Sequence, residues 1–357
     1  MIIVLLTIGI LSMLFGHFFP INKKNQILYL ILCAVVIILQ AGLRDATNPL
    51  FQSDIKTYYQ HYITAGKLSF SNYLQTLTKD YGYYICTWLF ARIFKDAQFL
   101  LFIVPTIICF FTFRFIYKYA DNIYLSVFLF LTLGFYGFSL TAFRQSLAIS
   151  ICLWAYDYIK TKKIIPFILI VLLAASMHQT AIVFLPMYII GQMKLSRKSV
   201  FALTALLLAI YFFGDIFIDA FNNLFEMDYG EEEIGSITGR IIKFTIYGII
   251  FILAYLAIVG KSREDRLLFK AKIGTMVHFL MFGTMTYALQ FSVLIMQRIT
   301  FYFAGSIIFV LISNILGGFK DKSFRNALKI CFVMFSTALF IADGVRNGVY
   351  EFAYLIG

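Results

Sequence analysis

Charge is scarce in this chain. Asp, Glu, Lys and Arg make up 13% of its 357 residues, while 61% are hydrophobic. That balance excludes a soluble globular protein. Proline is scarce as well, five in all, so little interrupts long helices. The five cysteines, Cys33, Cys86, Cys109, Cys152 and Cys331, are scattered through apolar stretches without a close pair. They read as small core hydrophobes rather than a disulfide framework or a thiolate metal site. The chain has no Walker-type loop, no dinucleotide fingerprint and no Asp-x-Asp pair to hold a metal with a nucleotide sugar. No Cys/His spacing suggests zinc. The expectation is therefore no cofactor and no metal. Tandem repeats and low-complexity linkers are also lacking, so residues 1–357 read as one membrane-embedded domain.

What is present is a series of apolar runs, many close to the length that crosses a bilayer. A helix satisfies its own backbone in lipid, so the expected fold class is an all-α polytopic membrane protein. About twelve spans are expected, near residues 1–19, 27–43, 98–117, 123–141, 143–159, 164–177, 180–193, 199–218, 241–260, 272–290, 298–317 and 328–343. No basic residue precedes the first run, and Lys23 and Lys24 follow it. A cleavable signal has the opposite polarity, so this run reads as a retained helix with its N-terminus outside.

The net charge is +12. In a soluble protein this would hint at nucleic acid, but here 19 of the 30 basic residues fall in six short connections: 20–26, 114–122, 160–163, 194–198, 261–272 and 318–329. Such connections are expected on the cytoplasmic side, and no nucleic acid is expected as a partner. Loop 44–97 and the acidic stretch 219–240, with its "EMDYGEEE", then lie outside. Parity leaves no room for a further crossing at 81–94. That stretch is expected as an interfacial or re-entrant helix on the outer face, which suits its Tyr, Trp and Arg content. The runs 164–177 and 180–193 are short for full crossings, so the turn "ASMHQTA" should lie below the outer surface and place His178 in a recess.

This topology puts Arg44, Asp45, Asp54, Arg144, His178, Arg240 and Arg298 at outer helix ends or in outer loops. Arg144 stands in "LTAFRQSLAIS", between two apolar runs with no acid beside it. Charges at membrane depth usually face a polar cavity or a partner. Arginine suits bidentate phosphate binding, so four arginines from distant segments can converge on one anionic group; each can equally be an interfacial residue reaching for water. Asp54 reads as a helix-start residue or as a carboxylate facing the site. His178 reads as a hydrogen-bonded core histidine or as a base. The other histidines, His17, His61 and His278, belong to no motif.

Four segments together resemble the EpsG-like family of Wzy-type bacterial polysaccharide polymerases of exopolysaccharide, capsule and O-antigen. They are "GLRD" with Asp54 and Tyr58 after it, "AFRQSLAISICLWAYDYIKTKK", "LLAASMHQTAIVFLP" and "QRITFYF". The order is kept from residue 42 to about 303. Two positions depart: Gln52-Ser53 stand where the family often has Gly-Thr, and "DYGYY" offers Asp80 where it often has Glu. The resemblance implies a glycosyltransferase with a GT-C-like architecture in the bacterial cytoplasmic (inner) membrane, its active site facing outward. It would transfer a growing glycan from undecaprenyl pyrophosphate to a lipid-linked repeat unit without a metal. Its partners would be undecaprenyl-pyrophosphate-linked oligosaccharides as donor and acceptor, membrane lipid, and flippase and chain-length regulator proteins. Arg144 would meet the pyrophosphate, helped by Arg44, Arg240 and Arg298. Asp54 or His178 would be the base, and Asp45, Tyr58, Gln145 and Tyr302 would orient sugar or phosphate. A lipid-linked oligosaccharide flippase and a polytopic sugar O-acyltransferase are the alternatives. The first would need a cationic cavity continuing toward the cytoplasm, the second a route for an acyl group.

Overall fold

A computed structural model describes residues 2–19, 22–46, 54–196, a few positions between 198 and 205, 237–289 and 295–347. Helices dominate these residues. The chain enters as α1 (Ile2–Phe18) and α2 (Lys23–Gly42). Asn22 starts α2 by accepting from the Asn25 amide at 2.9 Å. Three short helices follow: α3 (Asp54–Lys67), α4 (Phe70–Gln75) and α5 (Tyr81–Ile93). Next come α6 (Gln98–Tyr119), α7 (Ile123–Thr132), α8 (Phe135–Ser139), α9 (Phe143–Lys160) and α10 (Ile164–Met177). A 3-10 turn (Gln179–Phe184) leads into α11 (Met187–Ile190). The rest is α12 (Ile237–Val259), α13 (Arg263–Leu289), α14 (Ile295–Thr300), a π segment (Phe301–Gly305), α15 (Ser306–Gly317) and α16 (Lys322–Asn347).

Five stretches among the described residues are long and apolar enough to cross a membrane: Lys23–Gly42, Gln98–Tyr119, Ile241–Val259, Met296–Gly317 and Lys322–Ala342. Shorter apolar helices accompany them, including Ile123–Thr132 and Ile164–Met177. The molecule is thus a multi-pass helical membrane protein. Most of the expected span at 199–218 and the "EMDYGEEE" stretch lie outside the described residues.

Three expected spans are not single regular helices, and one of them, 180–193, is the 3-10 turn Gln179–Phe184 followed by the four-residue α11. Residues 123–141 form α7 and α8, parted where Gly134 adopts φ +96°, a conformation that side-chain-bearing residues rarely hold. Residues 295–317 form one continuous helical path in which one turn, Phe301–Gly305, widens to the π form. Such widenings recur at functional positions.

Helix α9 lies at the centre. Ser146, Ala148, Ser150, Cys152 and Ala155 are all buried along it, and small side chains let neighbouring backbones approach. It packs against α6 and α10. Its two ends hold different polar groups. At the C-terminal end, Asp157 pairs with Arg114 and, at 2.9 Å, with Lys118, and accepts from Tyr119 Oη at 2.6 Å. Nearby, Lys272 pairs with Asp121, Lys160 Nζ donates to Ala271 O at 2.8 Å and Lys261 Nζ to Gly318 O at 2.6 Å. The connections 114–122, 160–163, 261–272 and 318–329 therefore gather at one end of the bundle. Arg144 lies at the other end of α9, about 20 Å away by helix rise.

Helix α5 occupies the stretch expected as interfacial. At thirteen residues it is too short to cross a bilayer. It is tied to α3 and the turn after it: Trp88 Nε1 donates to Leu68 O at 3.1 Å, Arg92 Nη1 to Gly66 O at 3.2 Å, and Tyr62 Oη to Phe94 O at 2.8 Å. Its other neighbour is α10, where Gly82 makes the approach possible. A Cβ on Gly82 would stand 2.9 Å from the Ser176 carbonyl oxygen.

Candidate active site

Arg144, locally without an acid, meets one that lies 64 residues earlier in the chain. Its Nη1 donates to Asp80 Oδ2 at 2.7 Å. The same oxygen bonds His178 Nδ1 at 2.9 Å, and Oδ1 accepts from the Gln179 amide at 2.8 Å. The Asp80 side chain is fully buried, that of His178 14% exposed and that of Arg144 22%. The carboxylate thus joins α9 to the turn after α10 and satisfies an orphan amide of the 3-10 turn.

Local geometry aims Asp80 away from its own helix. It precedes α5 with φ 56°, in the left-handed region that aspartate tolerates better than most residues, and it makes no side-chain cap to α5. Strain of this kind persists where surrounding contacts over-determine it; here three partners do so. Burial raises the Asp80 carboxyl, but the hydrogen bond and charge of His178, the Arg144 charge and the Gln179 amide outweigh it and hold the group below its ordinary value. Asp80 is therefore an acceptor only. A neutral His178 then carries its proton on Nδ1, facing Asp80, and presents the Nε2 lone pair elsewhere. Nε2 has no hydrogen-bond partner among the described residues.

Arg144 is framed by aromatic rings. Its Cζ lies 5.7 Å from the Tyr58 ring and 5.5 Å from the Tyr84 ring. Tyr58 in turn stacks on Phe143 at 5.5 Å with 3° between planes. Burial raises the Tyr58 and Tyr84 hydroxyls, with Arg144 opposing, so both remain protonated at neutral pH. Arg144 Nε is buried without a hydrogen-bond partner among the described residues. One nitrogen of the guanidinium is thus committed to Asp80, and the same guanidinium interacts with the Tyr58 and Tyr84 hydroxyls.

The other expected site residues fall in several places. Tyr58 and Gln145 adjoin Arg144, and Gln145 Nε2 donates to Arg298 O at 3.3 Å, which draws the start of the last motif toward the site. Tyr302, on the π turn, shares a 3.0 Å hydrogen bond with Thr180, two residues after His178. The Arg298 side chain is exposed. Arg240 lies in α12, and its side chain is outside the described residues. Arg44 is fully buried: Nε donates to Ala41 O at 2.9 Å and Nη1 to Leu140 O at 2.8 Å. It fixes the backbone just ahead of Arg144 from inside the protein. Asp45 beside it is half-buried, and Asp54 is exposed on the first turn of α3, one turn before Tyr58.

Asp80 and Tyr84 are the residues that the sequence reading did not place in the site. The one available signal was the acid before Gly-Tyr in "DYGYY". Among the described residues, no three of His, Cys, Asp and Glu gather as a metal site would require.

The family model described as the EpsG family matches residues 27–355. No curated protein and no solved structure matches the chain.

Proposed function

The chain belongs to the EpsG family, and from that premise we propose that it is an exopolysaccharide polymerase, a glycosyltransferase that joins lipid-linked saccharide units. The observation that carries the reading is the Arg144–Asp80–His178 bridge at one end of the bundle. It combines a partly exposed cation with a base whose partner fixes its orientation.

The donor in this reading is a growing glycan on undecaprenyl pyrophosphate, and the acceptor is a sugar hydroxyl on a second lipid-linked repeat. His178 Nε2 takes the hydroxyl proton as the oxygen attacks the anomeric carbon. The bond from that carbon to the pyrophosphate oxygen breaks, and the pyrophosphate leaves with the electron pair. Arg144, whose side chain is 22% exposed, meets the developing negative charge as a fixed donor meets an oxyanion. Asp80 holds the imidazole in one tautomer and stabilises the imidazolium that forms. It also fixes the guanidinium plane. Tyr58 and Tyr84 frame that plane, and Arg298 is a second cation within reach of the leaving group. Arg44 is a positioning residue. Between the two expected bases, the geometry favours His178, because it touches Arg144's partner and Asp54 does not.

About twelve crossings in a GT-C-like architecture, a cytoplasmic-membrane location and an outward-facing site complete the proposal, with flippase and chain-length regulator proteins as partners. Positive charge gathered at the opposite end of α9 supports this orientation. No metal takes part in this scheme.

The test is reconstitution. Purified protein with lipid-linked repeat units should yield a ladder of polymers without added divalent ions and in the presence of EDTA. Translocation of the lipid-linked unit without polymer would point instead to a flippase. A ladder that EDTA abolishes and a divalent ion restores would move the pyrophosphate charge from Arg144 to a metal.

A further inference from the structure

A groove of about 410 Å³ opens between α3 and α4. Thr57, Gln60, His61 and Thr64 form its wall on α3, at spacings that share one helix face. Tyr73 and Thr76 stand opposite, and Lys56 sits on the rim. Hydroxyl, amide and imidazole groups both donate and accept, which matches a polyhydroxylated ligand better than a lipid tail. Tyr73, 1% exposed, contributes to the lining of this groove. Burial first and the Arg144 charge second hold His61 below its ordinary value, so it serves as a neutral donor and acceptor. The His61 ring lies 5.4 Å from the Tyr84 ring, and Arg144 Cζ lies 5.5 Å from the same ring. Groove and proposed reaction centre therefore adjoin through one tyrosine.

We infer that this groove is a saccharide subsite, seating a short stretch of the repeat unit beside Arg144, Asp80 and His178. The inference rests on the polymerase reading for the identity of the saccharide. Donor and acceptor glycans share the required chemistry.

The probe is a set of oligosaccharides, one repeat long, made by partial hydrolysis of the host cell's own exopolysaccharide and carrying neither lipid nor pyrophosphate. Saturation-transfer difference NMR on detergent-purified protein should show binding to wild type and to Arg144→Ala alike. Thr57→Val and Gln60→Leu, both at exposed positions, should keep the unfolding midpoint and weaken saccharide binding at least fivefold. In the polymerisation assay the same variants should raise KM about tenfold with kcat little changed, as lost uniform binding does. A KM rise confined to preformed polymer assigns the groove to the donor, and one confined to single repeats assigns it to the acceptor. Absence of saturation transfer in wild type, or binding and KM unchanged in both variants, overturns the inference. Should wild type form no polymer, the NMR arm still decides: saccharide binding that disappears in Gln60→Leu keeps the subsite while the polymerase reading falls.

Discussion

At the scale of single residues, one carboxylate oxygen serves two partners, and each substitution there removes a different property. Arg144→Lys keeps the charge but loses the planar fork, framed by the Tyr58 and Tyr84 rings, that holds Asp80. Polymer formation should slow by about 2–4 kcal/mol of barrier, the scale of one lost oxyanion-type donor. Normal ladders from a well-expressed Lys variant would mean that Arg144 only anchors its helix. His178→Gln should cost roughly 10²–10⁴ in rate, as loss of a general base does, whereas Asp54→Asn should stay within about tenfold. The reverse ranking in ladder assays would return the base role to Asp54. Asp80→Asn leaves Arg144 without its buried partner and should destabilise by up to about 3–5 kcal/mol. Its pH dependence has a definite sign. Burial raises the Asp80 carboxyl, but His178, Arg144 and the Gln179 amide bring it below the ordinary value. The stability it contributes is complete above about pH 4, the ordinary aspartate value, and drains as pH falls through the lowered one. The margin in unfolding midpoint between wild type and Asp80→Asn should shrink as pH is lowered below about 4.

At the scale of elements, hydropathy and residue type placed most helices, and the sequence also placed His178 in a turn between two short ones. The partner of Arg144 was not legible. Asp80 and Arg144 are 64 positions apart, and no local period links a residue in an outer loop with the first turn of a later helix. The breaks inside α7–α8 and at the π turn were hidden for a related reason, since an apolar run looks the same whether its backbone is straight or widened. The burial of Arg44 was hidden because outer-end arginines look alike until their carbonyl partners are known. What joins these elements at the site is a helix contact that only glycine allows. A Cβ on Gly82 would stand 2.9 Å from the Ser176 carbonyl oxygen, and backbone cannot swing aside as a side chain can. Gly82→Ala should therefore part α5 from α10 and loosen Asp80 from His178, lowering activity at least tenfold while leaving expression intact. Adding Ser176→Gly removes the side-chain part of the clash but not the carbonyl. The double variant should regain only part of the activity. Full recovery would show that the two backbones are not held in contact.

At the scale of the whole molecule, charge pairing separates the two ends of the bundle. Arg114, Lys118 and Asp157 close one end around α9, with Lys160, Lys261 and Lys272 bonding across neighbouring connections. The other end carries α3, α4, α5 and the Arg144–Asp80–His178 bridge. If basic connections mark the cytoplasmic side, the proposed reaction centre faces out, which agrees with the proposed lipid-linked donor because ATP and nucleotide sugars are absent there. That orientation is open to a direct test. The five native cysteines lie apart and form no disulfide among them, so a Cys-free variant removes no cross-link. Single cysteines at Ser71 and Thr78, both exposed, should react with an impermeant maleimide added to intact cells. Cysteines at Lys162 and Asp265, equally exposed, should react only after lysis. Labelling of 162 and 265 from outside, with 71 and 78 protected, would invert the protein. The bridge would then face the cytoplasm, and a nucleotide-activated donor would replace the lipid-linked one. Labelling of 78 from outside together with Lys118→Cys from outside would instead make the chain between them cross the membrane twice, and α5 would become a span rather than a helix lying at the surface.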